Sequence, residues 1–406
     1  VPELSRHARR ALFNPRPVPP VLGNAAGRRG QDGWNSEAVK EALDTCLSCK
    51  GCRSDCPTHT DIASWKAEFL SHYHEQHRRP RQALSMGRIG DWARLAGKAP
   101  WLANFPTQTP GLSTIAKRIA GAAPERQLPR FASAQFRKRA DASAIDIDTM
   151  PVAAKGKVIL WVDTFCENFH PEIASAATQV LRHAGFAAIL PKTPLCCGRP
   201  LYDFGYLDLA REKLRHILDA IGDDMMRSDS GVFGVVGLEP GCMSVFKDEL
   251  LKMFPDDPRA QRLAANTWLL GDFLVAQDYV PPIYEVDVLV RTHCHQKSLL
   301  GIKGDQALME RMGARAHFLD SGCCGMAGSF GFNPAHIEIS KAVGEEVLLP
   351  VVRKQAASKF ILANGFSCRE QIRQGTSRQV VHLAELLLLA HESPARQVST
   401  GGAQAD

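Results

Sequence analysis

No run of ~18 apolar residues occurs in this chain, which excludes a predicted transmembrane helix. The opening segment, VPELSRHARRALFNP, has positive charge but lacks the apolar stretch of a secretory signal. The thiols are therefore expected in a reducing cytosol, where cysteine patterns read as metal sites rather than disulfides. Strong net charge is also missing: +6 over 406 residues leaves room for an acidic partner or a membrane surface and does not require nucleic acid. There is no flavin fingerprint. The glycines of CCGMAGSFG are not followed by the Lys-Ser/Thr of a phosphate loop, so they are read as allowing close packing around Cys323-Cys324.

Cysteine is not scarce, and none of the 12 is left over. Cys166, Cys196-Cys197 and Cys242 form one set, with 29 and 44 residues in the gaps. Cys294, Cys323-Cys324 and Cys368 form a second, with gaps of 28 and 43. Cys46, Cys49, Cys52 and Cys56 make up the run CLSCKGCRSDCP. Core packing has no reason to repeat thiols at matched spacing, whereas a metal or cluster site has one.

Pattern and punctuation give the expected organisation. Residues 1–33, rich in Pro, Gly and Arg, read as a disordered leader, and 396–406 as a disordered tail. In 34–80, helices from Glu37 to Leu43 and from Asp61 to Ser71 flank the four-cysteine run; Ile62, Trp65 and Phe69 are expected on one face of the second. Residues 81–150 read as a basic helical connector. Two interpretations stand for it: a connector packed on its own protein, or a basic, aromatic surface for a membrane or redox partner.

From Lys157 the pattern becomes α/β. Expected strands are Val158–Val162, Phe186–Leu190 and Val232–Val236, then Val286–Val290, Ala316–Leu319 and Phe360–Ala363. Helices are expected from Pro171 to Gly185, around Leu207 to Ile217, and from Pro334 through Val347. Every thiol of the two sets follows a strand. Alternating strands and helices imply parallel sheets, whose carboxyl-end loops build ligand crevices. The fold class is thus α/β: a small α-helical ferredoxin-like module followed by two homologous repeats with parallel sheets, at 151–280 and 281–395. The repeats are expected face to face, with their eight sulfurs at one interface.

The run CLSCKGCRSDCP matches C-x2-C-x2-C-x3-C-P, in which three thiolates serve one [4Fe–4S] cluster and the fourth, before proline, serves another. Zinc is the alternative. On the cluster reading, Cys46, Cys49 and Cys52 lack a fourth ligand and Cys56 lacks a cluster. The missing partners are expected upstream or on another chain, as in the C-terminal part or one subunit of a larger enzyme. For the repeated sets, an iron–sulfur cluster, structural zinc and a redox disulfide or free thiols stay open. Gly198 and Gly325 permit close backbone approach and supply amides toward sulfur. His170, His293 and His295 are candidate ligands, proton carriers or hydrogen-bond donors to sulfur, and ordinary loop histidines otherwise. Arg199 and Lys297 are candidates to offset thiolate charge, or else solvated surface residues.

The segments TFCENFHPE, LCCGRPL and EPGCMS, paired with THCHQKSLL, SGCCGMAGSFGF and GFSCREQ, resemble the CCG (cysteine-rich) domain of heterodisulfide reductase and of glycolate and lactate oxidation subunits. DGWNSEAVKEALDTCLSCKGCRSDCPTHTDIASWKAEFL, LPRFASAQFRKR and HCHQKSLL resemble the large FAD-linked, iron–sulfur D-2-hydroxyacid dehydrogenases. The likeness runs over nearly all of 32–393. It departs from one form of the CCG motif, which ends in C-x2-C, because Cys242 and Cys368 stand alone.

The resemblance implies an oxidoreductase acting on CH–OH donors, of which this chain is the electron-transfer part. FAD would sit on an upstream domain or partner chain that oxidises D-2-hydroxyglutarate, D-lactate or glycolate. Electrons would pass to a quinone or another acceptor. Alternatives are a heterodisulfide reductase-like subunit that reduces a disulfide or quinone at the CCG site, and a zinc-stabilised interaction protein. The expected location is cytoplasmic, with the inner membrane face as a further contact.

Overall fold

The computed structural model describes residues 33–139, 155–222 and 231–393. The expected tail, the leader apart from Gly33, and connector residues 140–150 lie outside them.

Two parallel sheets carry the repeats. The first has β1 (Gly156–Trp161), β2 (Phe186–Ile189), β3 (Val232–Gly237) and β4 (Thr267–Leu269), in the order β2-β1-β3-β4. The second has β5 (Asp287–Val290), β6 (Arg315–Phe318) and β7 (Phe360–Leu362), in the order β6-β5-β7. β5-β6-β7 repeat β1-β2-β3 in both sequence and space. In each sheet the first strand lies at the centre and the next two pair on opposite sides. That is a topological switch point, where the loops leaving adjacent strands splay apart into a crevice.

The six expected strands form with shifted ends, and β4 is an addition. Its three residues, TWL, are too short for a periodic signal. The helix expected from Pro334 starts at Ile337 and stops at Glu346, leaving Val347 outside. Asn333 accepts the Ala335 amide at 2.9 Å, which spends 334–336 on a turn. An unforeseen helix, Thr164–Asn168, follows β1; Asp163 caps it by accepting the Phe165 and Cys166 amides.

The two repeats share a core. Val158, Phe186 and Val236 join Val288, Leu362 and Leu386 in one buried cluster. Helix Pro171–His183 packs on helix Leu383–Glu392 across the junction. His382 caps the latter by accepting the Ala384 amide, and its Nε2 donates to the Leu238 carbonyl of the first repeat at 3.0 Å.

In the N-terminal module, Ser36 caps helix Glu37–Asp44 and Asp61 caps helix Ile62–Gln76. The second helix is sandwiched. Phe69, Leu70 and Tyr73 pack with Val39 and Leu43, while Ala67 packs with Leu201 and Tyr202. Of the three residues expected on one face, Phe69 is buried and Trp65 is exposed.

The connector divides in two. Helices Arg81–Ser85, Ile89–Ala96, Pro100–Gln108 and Leu112–Ala120 pack on one another. Residues 121–139 then wrap both repeats. The Ala123 amide donates to Phe332 and the Ala132 amide to Asn168, and Phe136 is fully buried in the shared core.

Candidate metal centre

Cys166, Cys242 and Cys368 sit in the first turn of helices that follow β1, β3 and β7, and Cys294 directly precedes the helical turn Gln296–Leu300 after β5. The tandem pairs occupy the loops after β2 and β6. Thiols at helix starts meet free amides, which favour the thiolate. The loop after each pair adds more. Gly198 and Gly325 take matching left-handed conformations, φ 78° and 85°. The Gly325 amide points at Cys323 Sγ at 3.4 Å, and the Gly198 amide likewise serves Cys196. A side chain at Gly325 would strike the Ser340 carbonyl oxygen at 2.2 Å.

In the second repeat all four sulfurs join in one chain of contacts: Cys294 to Cys323, Cys323 to Cys324, Cys324 to Cys368. Arg291 lies beside them, 2% exposed. Its guanidinium donates to the carbonyls of Thr292 and Gly322 and lies 3.6 Å from Cys294 Sγ. Burial would lower its pKa, but the four thiols outweigh burial and raise it. Among the described residues it has no carboxylate partner, and its Nε has no hydrogen bond. A buried, unpaired cation is costly. Among the described residues the sulfurs are the groups placed to balance it, and they divide: Cys294 and Cys324 are lowered, while contact with their neighbouring thiols pushes Cys323 and Cys368 well up. The Cys323 contact and Arg291 lower the Cys294 thiol accordingly.

The first repeat differs. Cys196, Cys197 and Cys242 are in contact, with Cys197 and Cys242 sulfurs 3.1 Å apart. Cys166 belongs to a different hydrophobic cluster from Cys197 and Cys242. Burial and the Asp163 carboxylate push its thiol well up. Asp163 stands three residues before Cys166, as Arg291 stands three before Cys294. One position of the repeat therefore carries opposite charges in its two copies.

The four-cysteine run lies against the second repeat. Cys49 is pushed up to about 11 by burial and then by neighbouring Cys294, with Cys46 and Cys52 also beside it. Ser48 and Lys50, on either side of Cys49, hold left-handed backbones at φ 51° and 62°, strain of the kind stored at functional loops. Cys56 points elsewhere. The Thr58 and Thr60 hydroxyls, at 3.1 and 3.4 Å from its sulfur, hold the thiol down at about 6.

Two buried residues lock these parts together. His295 donates from Nε2 to the Ser48 carbonyl at 2.8 Å, and its Nδ1 lies 3.3 Å from Ser244 Oγ of the first repeat. Burial and neighbouring Arg199 keep this imidazole neutral. Lys50, 1% exposed, pairs with Asp61, Asp248 and Glu249 at 2.9 to 3.0 Å. Glu249 in turn holds Arg199, which also donates to Ser244.

The remaining candidates separate. His293 packs on Gly365, with Glu239 Oε1 4.0 Å away, and burial lowers it to about 4. His170 turns to Glu172 at 2.9 Å. Lys297 pairs with Asp320 on the surface, the solvated arrangement. Arg291, Asp163 and Lys50 were missed by sequence reasoning. Aligning the repeats outward from their cysteines would have exposed the first two; nothing in the sequence distinguishes Lys50 from a surface lysine.

Among the described residues no three His, Cys, Asp or Glu side chains are arranged to hold a single metal ion. The second repeat brings together four thiols, backbone amides and a buried cation. Cys46, Cys49 and Cys52 lie near one another in the first-module loop.

No model of a known protein family matches the chain. It is 25% identical over 374 residues to D-2-hydroxyglutarate dehydrogenase of Pantoea ananatis, covering 87% of this chain and 34% of that protein. Against the protein of the same name from Pseudomonas putida it is 25% identical over 378 residues, 91% of this chain and 36% of the other. Lactate utilization protein A of Bacillus velezensis is 27% identical over 248 residues, 57% of this chain and 98% of its own length. The chain spans about a third of the dehydrogenases it matches. These similarities support an oxidoreductase family related to the D-2-hydroxyacid dehydrogenases.

Proposed function

We propose that this chain is the iron–sulfur electron-transfer module of a FAD-linked D-2-hydroxyacid dehydrogenase, of the D-2-hydroxyglutarate, D-lactate or glycolate class. It would take electrons from a flavin-binding domain or subunit and pass them toward a quinone or another acceptor. The observation that carries this reading is the seating of the four-cysteine run on the second repeat, where His295 holds the Ser48 carbonyl at 2.8 Å and Cys49 lies near enough to Cys294 to feel its charge. Iron–sulfur clusters, when bound, supply one-electron carriers of low reorganisation at the thiolates of Cys46, Cys49 and Cys52 and of the repeated sets.

The chain's own residues do the rest. His295 fixes the Cys46–Cys49 loop against both repeats. Lys50 and Arg199 fill the space beneath it with paired charge. Arg291 sets a positive charge beside the second set of sulfurs and favours their anionic form. Exclusion of water from these buried sulfurs keeps a carrier from side reactions.

The test is anaerobic purification of the full chain with cluster assembly intact, followed by iron and sulfide analysis and EPR of the reduced protein. Iron with matching sulfide, and an EPR signal lost in Cys49→Ala, are expected. Protein free of iron and sulfide, or holding zinc alone, overturns the reading.

One observation favours a second reading, in which a CCG site itself meets the acceptor. Cys196 lines a surface pocket together with Gly90, Arg94, Gln135, Thr164 and Pro194. Under this reading Cys196→Ala abolishes acceptor reduction and leaves the EPR signal of the Cys46–Cys52 centre intact. Loss of both together argues against a separate site.

A further inference from the structure

The helices between Arg81 and Ala120 face the wrong way for a connector. Amphipathic helices turn apolar stripes toward a core. Here nine of the fifteen exposed large apolar side chains of the described residues fall on these four short helices. Leu112, Ile115 and Ile119, at helical spacing, form one outward stripe, with Ile119 69% exposed. Helix Pro100–Gln108 presents Trp101, 74% exposed, beside Phe105. Neither helix has a fully buried residue.

The stripes adjoin. Helix Pro100–Gln108 packs on Leu112–Ala120, which also packs on Arg81–Ser85, and Ile89–Ala96 packs on Pro100–Gln108. The Trp92 indole donates to the Leu84 carbonyl at 2.9 Å, which fixes those two exposed residues side by side. An apolar surface of this extent marks an interaction site.

Charge decides the partner. Between Arg81 and Ala120 there are six Lys or Arg and one acid, Asp91. Asp91 is occupied by Lys213 at 2.8 Å and Arg88 at 3.3 Å. Arg88, Arg94, Lys98 and Arg118 are exposed around the apolar residues. Exposed indoles and branched aliphatics ringed by basic side chains fit the headgroup zone of a bilayer. No helix of the described residues is long and apolar enough to cross it.

We propose that these four helices dock the protein in the plane of an anionic lipid bilayer. Apolar side chains would enter the acyl boundary, and the basic ring would meet lipid phosphates. The proposal does not rest on the function assigned to the cysteine sites, although the inner side of helix Ile89–Ala96 reaches Cys196.

The experiment is sedimentation of the full chain with vesicles of phosphatidylcholine, alone or with ~30% phosphatidylglycerol, at low salt and at ~0.5 M, where charge is screened within a few Å. Binding to the anionic vesicles that weakens in high salt is expected. A Trp101→Ser, Phe105→Ser, Ile119→Ser variant should lose it. Lys98→Gln with Arg118→Gln should weaken it roughly 30-fold, from about fivefold for each charge at the surface. On the parent chain, brominated lipid should quench tryptophan fluorescence, a readout that needs no variant. Absence of vesicle binding, or binding unchanged in both variants and unquenched, overturns the proposal. Self-association or capture of a flavoprotein partner that the triple variant abolishes, without vesicle binding, also overturns it and assigns the face to protein contact.

Discussion

Arg291 is the residue whose removal says most. It is a buried cation facing four sulfurs, so its cost falls on the metal-free protein and its benefit on a loaded one. Arg291→Met should leave the metal-free chain as stable as the parent or more so, measured by thermal unfolding. In the loaded chain it should lower the midpoint potential by on the order of 100 mV, the effect of a unit charge at about 5 Å in an effective dielectric near 20. An unchanged potential would remove Arg291 from the electrostatics of the site. Cys56 offers a second single-residue test. With a thiol pulled down to about 6 by two threonine hydroxyls, it is thiolate at neutral pH while buried Cys49 is not. In metal-free protein iodoacetamide should label Cys56 first at pH 7, by mass spectrometry, and Thr58→Val with Thr60→Val should remove that preference. Much of this scale was legible beforehand: the cysteines announced themselves by spacing. Arg291 and Lys50 did not, because burial of a charge is a property of the tertiary structure and leaves no periodic trace in the chain.

At the scale of elements, the glycine loops after the two tandem cysteine pairs share a left-handed backbone, but only the one at Gly325 is a tight junction of backbone on backbone. Gly325→Ala combines a left-handed φ with a clash against the Ser340 carbonyl and should destabilise by several kcal/mol, at least ~3. Gly198→Ala meets only atoms at 3.5 Å or more, so strain alone acts, about 1 kcal/mol. Chemical denaturation would rank the two, and equal losses would contradict the packing described.

Helix Lys303–Met312 carries a pH signature. Burial raises Asp305 to about 6, although Gln296 and Asn364 both donate to it, at 2.8 and 3.0 Å. A raised carboxyl stabilises the fold fully below its unfolded value and ceases to as pH climbs through its folded value. Stability should therefore fall by about 3 kcal/mol between pH 4 and 6, and Asp305→Asn should flatten that slope. Strands were readable because their residues are apolar and punctuated. The turn at 334–336 and strand β4 were not, since a side-chain cap and a three-residue strand both fall below the length of any pattern.

For the molecule as a whole, the shared core and the bridges through His295, His382 and Lys50 make the cysteine module and the two repeats a single mechanical body. His295→Leu removes two hydrogen bonds between three segments. It should cost about 2 kcal/mol or more of stability by leaving the Ser48 carbonyl unpaired. It should also broaden the EPR signal of the reduced, loaded chain, whereas a peripheral histidine such as His170, changed likewise, should do neither. The α/β class and the duplication were visible in the spacing of eight thiols. Where the two copies meet was not, because the interface is built from apolar faces that look alike on any helix.

The opposed residues Asp163 and Arg291 finally give the pair of repeats a direction. A duplicated fold begins with two equal halves, between which an electron has no preference. A buried carboxyl group in one half and a buried guanidinium in the other would tilt that balance toward the second. On the proposed function the second repeat becomes the low end of the slope, the place where charge comes to rest.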